Sequence, residues 1–196
     1  MLIELTQLRK KIRKQRKQVS VLQQQYSEQH ILNRLRHLPE FKHAKHVGIY
    51  LHAFGEIQTR KIIEYCFHQK KSVYLPMICN MNQRLVWVKI SLHQFYNQRF
   101  SYHPFGMQEP MASRGQHVSH LDLLIMPLLA CDAFGTRIGM GGGFYDKTLA
   151  SAPYHRPFRL GLAHAFQLVP QTLIREPWDQ PLDALLMPQQ FLRFNR

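Results

Sequence analysis

The stretch VGIYLHAFGEIQTRKIIEYCFHQKKSVYLP, residues 47–76, decides the fold. Its opening, VGIYL at 47–51, is a short apolar run that reads as a buried strand. A loop with Gly55 and Glu56 follows. Thr59 stands where a helix cap is expected, ahead of a segment whose Ile62, Ile63, Cys66 and Phe67 share one helical face. SVYLP at 72–76 is the next strand. Strand, loop, helix, strand is a βαβ unit, and strands joined through a helix lie parallel.

Working outward toward the C-terminus, LVWVKI at 85–90 reads as a further strand. LDLLIMP at 121–127 is apolar enough to be buried on both faces and is the expected central strand. RLGLA at 159–163 and ALLM at 184–187 are late strands, and a short helix is expected near 144–150. Toward the N-terminus, Leu5, Leu8 and Ile12 form one helical stripe, and RKKIRKQRK at 9–17 carries seven positive charges. A second helix is expected over 21–37, with Leu22, Tyr26, Leu32 and Leu35 inward and Pro39 closing it. No linker divides the chain. The expected architecture is a single three-layer α/β/α domain over residues 1–196, with a mostly parallel sheet and a basic N-terminal helix.

Composition narrows the function. With 196 residues, 45% of them hydrophobic, the chain is suited to one packed domain rather than general disorder. No apolar run approaches the roughly 18 residues of a membrane span, and no apolar h-region follows the basic N-terminus. Cys66, Cys79 and Cys131 are too few and too scattered for a disulfide framework or a zinc site, so a reducing cytoplasm is the expected location. The net charge is +14, and residues 1–45 hold 11 Lys/Arg against 3 Asp/Glu. Such an excess suits nucleic acid, an anionic membrane surface or an anionic small molecule, and it equally suits a solvated basic face. The twelve histidines form no HxxxH or HExxH pair.

The chemistry concentrates in IMPLLACDAFGTRIGMGGGFYDKTL, residues 125–149. A buried strand ends at Pro127, and the chain passes Asp132 and Arg137 into Gly139, Met140, Gly141, Gly142 and Gly143, then Phe144, Tyr145 and Asp146. Ligands of open α/β sheets bind beyond the carboxyl ends of strands, where glycines let backbone N–H groups approach phosphate. The run matches neither GxGxxG nor a Walker A loop, because Phe144 replaces the third glycine and Asp146 precedes Lys147 and Thr148. A tight turn at a strand end is the ordinary alternative.

As RxGxGGGxYD after a strand with PxxAxDxxG, this segment resembles the signature of the 5-formyltetrahydrofolate cyclo-ligase family. Five further stretches have family counterparts in the same order: LRKKIRKQRKQVS at 8–20, YLHAFGEIQT at 50–59, YLPM at 74–77, FGMQEP at 105–110 and EPWDQPLD at 176–183. The resemblance implies an ATP- and Mg²⁺-dependent enzyme that closes 5-formyltetrahydrofolate to 5,10-methenyltetrahydrofolate. Phosphorylation of the formyl oxygen turns a poor leaving group into a good one, N10 attacks, and phosphate departs. Such a step needs positive charge around the transferring group and substrate held in line.

The same resemblance assigns residues. Arg137 and Tyr145 are catalytic. ATP falls on Leu5, Arg9, Arg137, Gly139, Gly141, Gly142, Gly143 and Tyr145, with Arg13 and Arg16 adding to the positive field. The folate falls on Arg9, Leu51, Glu56, Met140, Gly141, Gly142, Gly143 and Phe144, with the Glu56 carboxylate facing the pterin N–H donors. Asp146 and Asp179 hold Mg²⁺, Asp183 being the rival of Asp179. Phe54, Trp87 and Phe105 can stack on the folate or pack in the core. The expected partner is 5-formyltetrahydrofolate, with or without a polyglutamate tail, on a monomer with no stable nucleic-acid partner and no membrane. The competing classes are a basic RNA-binding module, supported by charge but lacking RRM or KH signatures, and a sugar-phosphate enzyme that would not need ATP.

Overall fold

The computed structural model describes residues 5–195. Two helices open the chain, α1 (Leu5–Lys17) and α2 (Val21–Leu35). The second begins at a capping box, in which the Ser20 hydroxyl accepts from Gln23 N and the Gln23 side chain accepts from Ser20 N. A short helix α3 (Pro39–His43) follows, with Pro39 at its first turn, where the missing N–H costs nothing. Pro39 therefore starts a helix, and α2 has already ended at Leu35.

The βαβ unit is present as β1 (His46–Gly48), α4 (Arg60–His68) and β2 (Ser72–Cys79), with β1 and β2 parallel. β1 is shorter than expected, and Leu51 lies beyond its end, packed against the core. Thr59 makes no side-chain cap; its hydroxyl donates to the Tyr50 carbonyl at 2.8 Å instead. Next come β3 (Arg84–Ile90), α5 (Leu92–Tyr96) and the hairpin β4 (Phe100–Tyr102) with β5 (Gln108–Pro110). The expected central strand is β6 (Leu123–Met126), followed by the small hairpin β7 (Ala130–Cys131) and β8 (Arg137–Ile138). Helix α6 (Phe144–Leu149) leads to β9 (Phe158–Leu162), and β10 (Ala184–Leu186) and β11 (Phe191–Arg193) close the chain.

The main sheet has seven strands in the order β11-β10-β9-β6-β1-β2-β3. The inner five run parallel, and the two edge strands β3 and β11 are antiparallel. β6 is the central strand, and its residues alternate between the two faces. Leu123 and Ile125 join a core with α2, α3, α4 and α5, while Leu124 and Met126 join one with Trp87, Leu121 and Leu149 of α6. Helices thus flank a mostly parallel sheet, the second face carrying short α6 and loops where the first carries four helices.

Two expectations for the N-terminal helices change. Leu22 is 76% and Tyr26 50% exposed; α2 instead buries Gln24, Ser27, Glu28, Ile31 and Leu35. Two of the polar members find distant partners, Glu28 accepting from Lys61 N at 2.9 Å and Ser27 Oγ lying 3.4 Å from His164 Nδ1, and this inward stripe carries little apolar periodicity. In α1, Leu5 is 40% exposed, and the buried stripe is Leu8, Ile12 and Arg16. Leu8 and Ile12 pack on Leu129, Ala130 and Ile138 of the β7–β8 hairpin.

Candidate active site

The strand order locates the site. From β1 the chain moves through α4 outward to β2, whereas β6 lies on the other side of β1 and leads outward to β9 and β10. The direction of winding reverses between β1 and β6, and the crevice beyond their carboxyl ends is where an open α/β sheet takes ligands. The loop after β1 holds Glu56, and the segment after β6 holds Arg137 and the glycine run. Helix α1 lies across both. Arg9 Nε donates to the Gly139 carbonyl at 3.3 Å and Arg13 Nη2 to the Met140 carbonyl at 3.2 Å.

The glycine run is a built turn. Gly141 has φ +108° and Gly143 φ +64°, the latter as the N-terminal cap of α6, and other residues enter that region only at a cost. A Cβ on Gly141 would meet nothing within 4 Å, so this backbone is open to a ligand. Gly142 is crowded by its own neighbour, since a Cβ there would lie 2.5 Å from the Phe144 ring. Phe144 in turn meets Phe105 of the β4–β5 turn, ring centroids 6.0 Å apart. Trp87 is fully buried, its ring 6.5 Å from that of Tyr145, and packs in the core rather than offering a face to a ligand.

Beneath this turn sits a buried cation. The Arg137 side chain is 4% exposed, donates from Nη2 to Asp146 Oδ1 at 2.6 Å, and lies 5.8 Å over the Tyr145 ring. Its Nε is buried without a partner among the described residues. An orphaned donor on a fixed positive charge, under an open glycine backbone, suits an anionic ligand such as a nucleotide phosphate. The Tyr145 phenol is held neutral: burial raises its pKa, and nearby Glu56 adds to the rise while Arg137 opposes it.

Glu56 reaches the same crevice. Its Oε2 accepts from Ala53 N at 3.0 Å and its Oε1 is 3.6 Å from Arg16 Nη2. Burial raises its pKa, partly offset by Arg16 and the Ala53 N–H. Asp146 Oδ1 accepts both from Arg137 and from Gln180 N at 3.0 Å, which places the 176–180 loop, and so Asp179, beside it. Asp179 Oδ2 closes a turn on Glu176 N, whereas Asp183 is built into the sheet, accepting from Arg159 N at 2.7 Å. Each of Asp146 and Asp179 keeps one carboxylate oxygen free of those bonds. A pair of partly exposed carboxylates fits Mg²⁺, which takes one or two protein oxygens and fills its remaining positions with water and phosphate. Among the described residues no group of three or more His, Cys, Asp or Glu forms a denser metal site.

The fold therefore brings Arg9, Glu56, Arg137, Gly139, Gly141, Gly142, Gly143, Phe144, Tyr145 and Asp146 to one crevice, with Asp179 at its edge. Leu51 sits at the start of the Glu56 loop, and Leu5 at the exposed beginning of α1. Arg16 moves from the expected nucleotide field to the Glu56 loop. Its signal was available, since it continues the Leu8–Ile12 stripe by one more turn.

These features define an α/β protein with an open glycine turn at the switch point of its sheet. Comparison with known proteins narrows the class. A sequence model described as the 5-formyltetrahydrofolate cyclo-ligase family matches residues 4–188. The chain is 35% identical over 184 residues to the 5-formyltetrahydrofolate cyclo-ligase of Haemophilus influenzae, covering 92% of this chain and 96% of that one. It is 34% identical over 192 residues to that of Escherichia coli strain K12, covering 91% and 97%. The NMR structure of Aquifex aeolicus 5,10-methenyltetrahydrofolate synthetase superposes with a TM-score of 0.82 at 25% identity, over 99% of this chain and 94% of that one. The Mycoplasma pneumoniae 5,10-methenyltetrahydrofolate synthetase shares the fold, with a TM-score of 0.73 at 18% identity. The chain belongs to the 5-formyltetrahydrofolate cyclo-ligase family.

Proposed function

We propose that this enzyme closes 5-formyltetrahydrofolate to 5,10-methenyltetrahydrofolate, with ATP converted to ADP and phosphate. The observation that carries the reading, beside family membership, is the convergence of Arg137, the open glycine backbone and Glu56 at one switch-point crevice. ATP supplies a phosphoryl group to the formyl oxygen, so that phosphate leaves when N10 closes the ring. Arg137 and the Gly141–Gly143 amides hold the phosphates, and Arg9 closes the site from α1. Glu56 accepts hydrogen bonds from the pterin ring donors, and its neighbour Tyr145 remains a neutral phenol that packs beside the reacting atoms. Asp146 and Asp179 would hold Mg²⁺, which offsets charge on the transferred phosphoryl.

The substrate enters with or without a polyglutamate tail, and the lysines on the outer face of α1 suit the longer form. No helix among the described residues is long and apolar enough to cross a membrane. We place the enzyme in the cytoplasm as a monomer. The test is incubation with 5-formyltetrahydrofolate, ATP and Mg²⁺, following the near-ultraviolet absorbance of the methenyl product. Product is expected when all three are present; product without ATP would exclude phosphoryl activation, and no product with all three would exclude the reaction.

A further inference from the structure

Arg16 is 1% exposed, in a helix whose other basic residues face solvent or the rim of the site. Its Nε and Nη2 both donate to the Phe54 carbonyl, at 2.9 and 2.7 Å, and Nη1 donates to the Leu128 carbonyl at 3.4 Å. The Phe54 carbonyl belongs to a tight turn in which Glu56 N donates to the Ala53 carbonyl at 3.0 Å. Both central residues are left-handed, Phe54 at φ +51° and Gly55 at φ +74°. Gly55 adopts this freely, but Phe54 does so against its steric preference and persists only where surrounding contacts hold it. A Cβ on Gly55 would lie 2.5 Å from the Arg16 carbonyl, so the turn is also pressed against the α1 backbone.

The same turn presents Glu56. The groups that face its carboxylate are Arg16 from α1, Tyr50 from the segment after β1 and Tyr145 from α6. Of these Arg16 is the cation, and it also faces the His164 ring that follows β9. About one and two turns earlier on α1, Arg13 and Arg9 hold the Met140 and Gly139 carbonyls. A single helix thus grips the glycine run with Arg9 and Arg13 and the Glu56 turn with Arg16.

We propose that Arg16 is a positioning residue for the folate side of the site: its fork fixes the 53–56 turn and sets a buried cation beside the Glu56 carboxylate. The inference rests on Glu56 reading the pterin donors. A lysine would retain charge but not the fork that takes the Phe54 carbonyl through two nitrogens. With the cation removed, burial favours a protonated Glu56, and folate binding then requires a higher pH.

The test uses the full chain as Arg16→Met, Arg16→Lys, Glu56→Gln and the Arg16→Met/Glu56→Gln double variant. The 5-formyltetrahydrofolate Kd is measured without nucleotide from about pH 6 to about pH 9, a range that spans carboxylate shifts of the size burial produces. The ATP Kd is measured separately. Arg16→Met is expected to weaken folate binding about 10- to 100-fold at neutral pH, recovering as pH rises, with ATP binding changed less than about threefold. Arg16→Lys, which preserves helix and charge, is expected to lose about tenfold with little pH dependence. Glu56→Gln should be weak and flat across the range, and the double variant no more than about threefold weaker still, because both act through one carboxylate. Full additivity in the double variant, or parental folate binding in Arg16→Lys, overturns the role of Arg16. Parental folate binding in Glu56→Gln overturns the Glu56 reading itself.

Discussion

Asp146→Asn separates what the Arg137–Asp146 pair does for the fold from what the carboxylate does for turnover. Arg137 is buried, and Asp146 is 21% exposed on its side chain. Removing one partner of a fully buried pair costs about 3–5 kcal/mol, because a charge is left uncompensated. The cost here is smaller. Asp146 is partly solvated, and an asparagine Oδ1 can still accept from Arg137 Nη2 and Gln180 N, so a loss of about 2 kcal/mol is expected. For a chain of this size that lowers Tm by about 4–8 °C. Turnover is expected to fall at least about 100-fold, or about 2.7 kcal/mol of barrier, with a raised Mg²⁺ requirement. Nucleotide without metal should stabilise the variant at least as much as the parent, since its phosphates give the unpaired Arg137 a new counter-charge. The assays are apo and ATP-bound melting, with initial rates across a Mg²⁺ series. If the variant melts early yet keeps the parental Mg²⁺ response and rate, the carboxylate is structural. If it melts as the parent does, the buried pair is not the stabilising contact its geometry implies.

Gly142→Val should abolish turnover while circular dichroism retains the parental spectrum, because the new side chain meets the Phe144 ring at the surface of the site rather than in the core; normal kinetics would make the run an ordinary turn. His164 is buried, and burial pushes its pKa down to about 4, with Ser27 Oγ 3.4 Å from Nδ1. The unfolded chain binds that proton near pH 6.5, so this group's contribution to stability is complete above pH 6.5 and is lost as pH falls toward 4. His164→Gln should therefore flatten the decline in unfolding free energy between about pH 6.5 and pH 4.5 by about 2–3 kcal/mol in urea titrations. An unchanged pH slope would show that the ring takes up its proton while still folded.

The parts of the fold that could be read in the chain are those where one local signal suffices. The βαβ unit, the fully apolar β6, the late strands and the basic first helix each announce themselves through hydrophobic period or composition. The glycine run stands out in the chain because few structures need so many backbone positions free of Cβ, and a tight turn and an anion site both use them. Helix α2 hides its inward face because that stripe is polar, with Glu28 and Ser27 bonded to groups distant in sequence and Gln24 buried beside them. The hairpins β4–β5 and β7–β8 and the edge strand β11 are two or three residues long, too short for any periodicity.

By itself, the sequence determined the α/β class and the family and put forward a short roster of candidate residues, because residue type and local spacing carry that information. The tertiary structure alone decided how those residues meet. Strand order is a property of long-range pairing, and it is the reversal between β1 and β6 that sets Glu56 opposite the glycine run. Asp146 reads in the chain as a carboxylate near a helix start, and only folding pairs it with Arg137. Arg16 reads as one of seven like charges, and only burial against the Phe54 carbonyl and Glu56 gives it a partner the other six lack. A charge acquires a role from what surrounds it, and those surroundings come from segments far apart in the sequence.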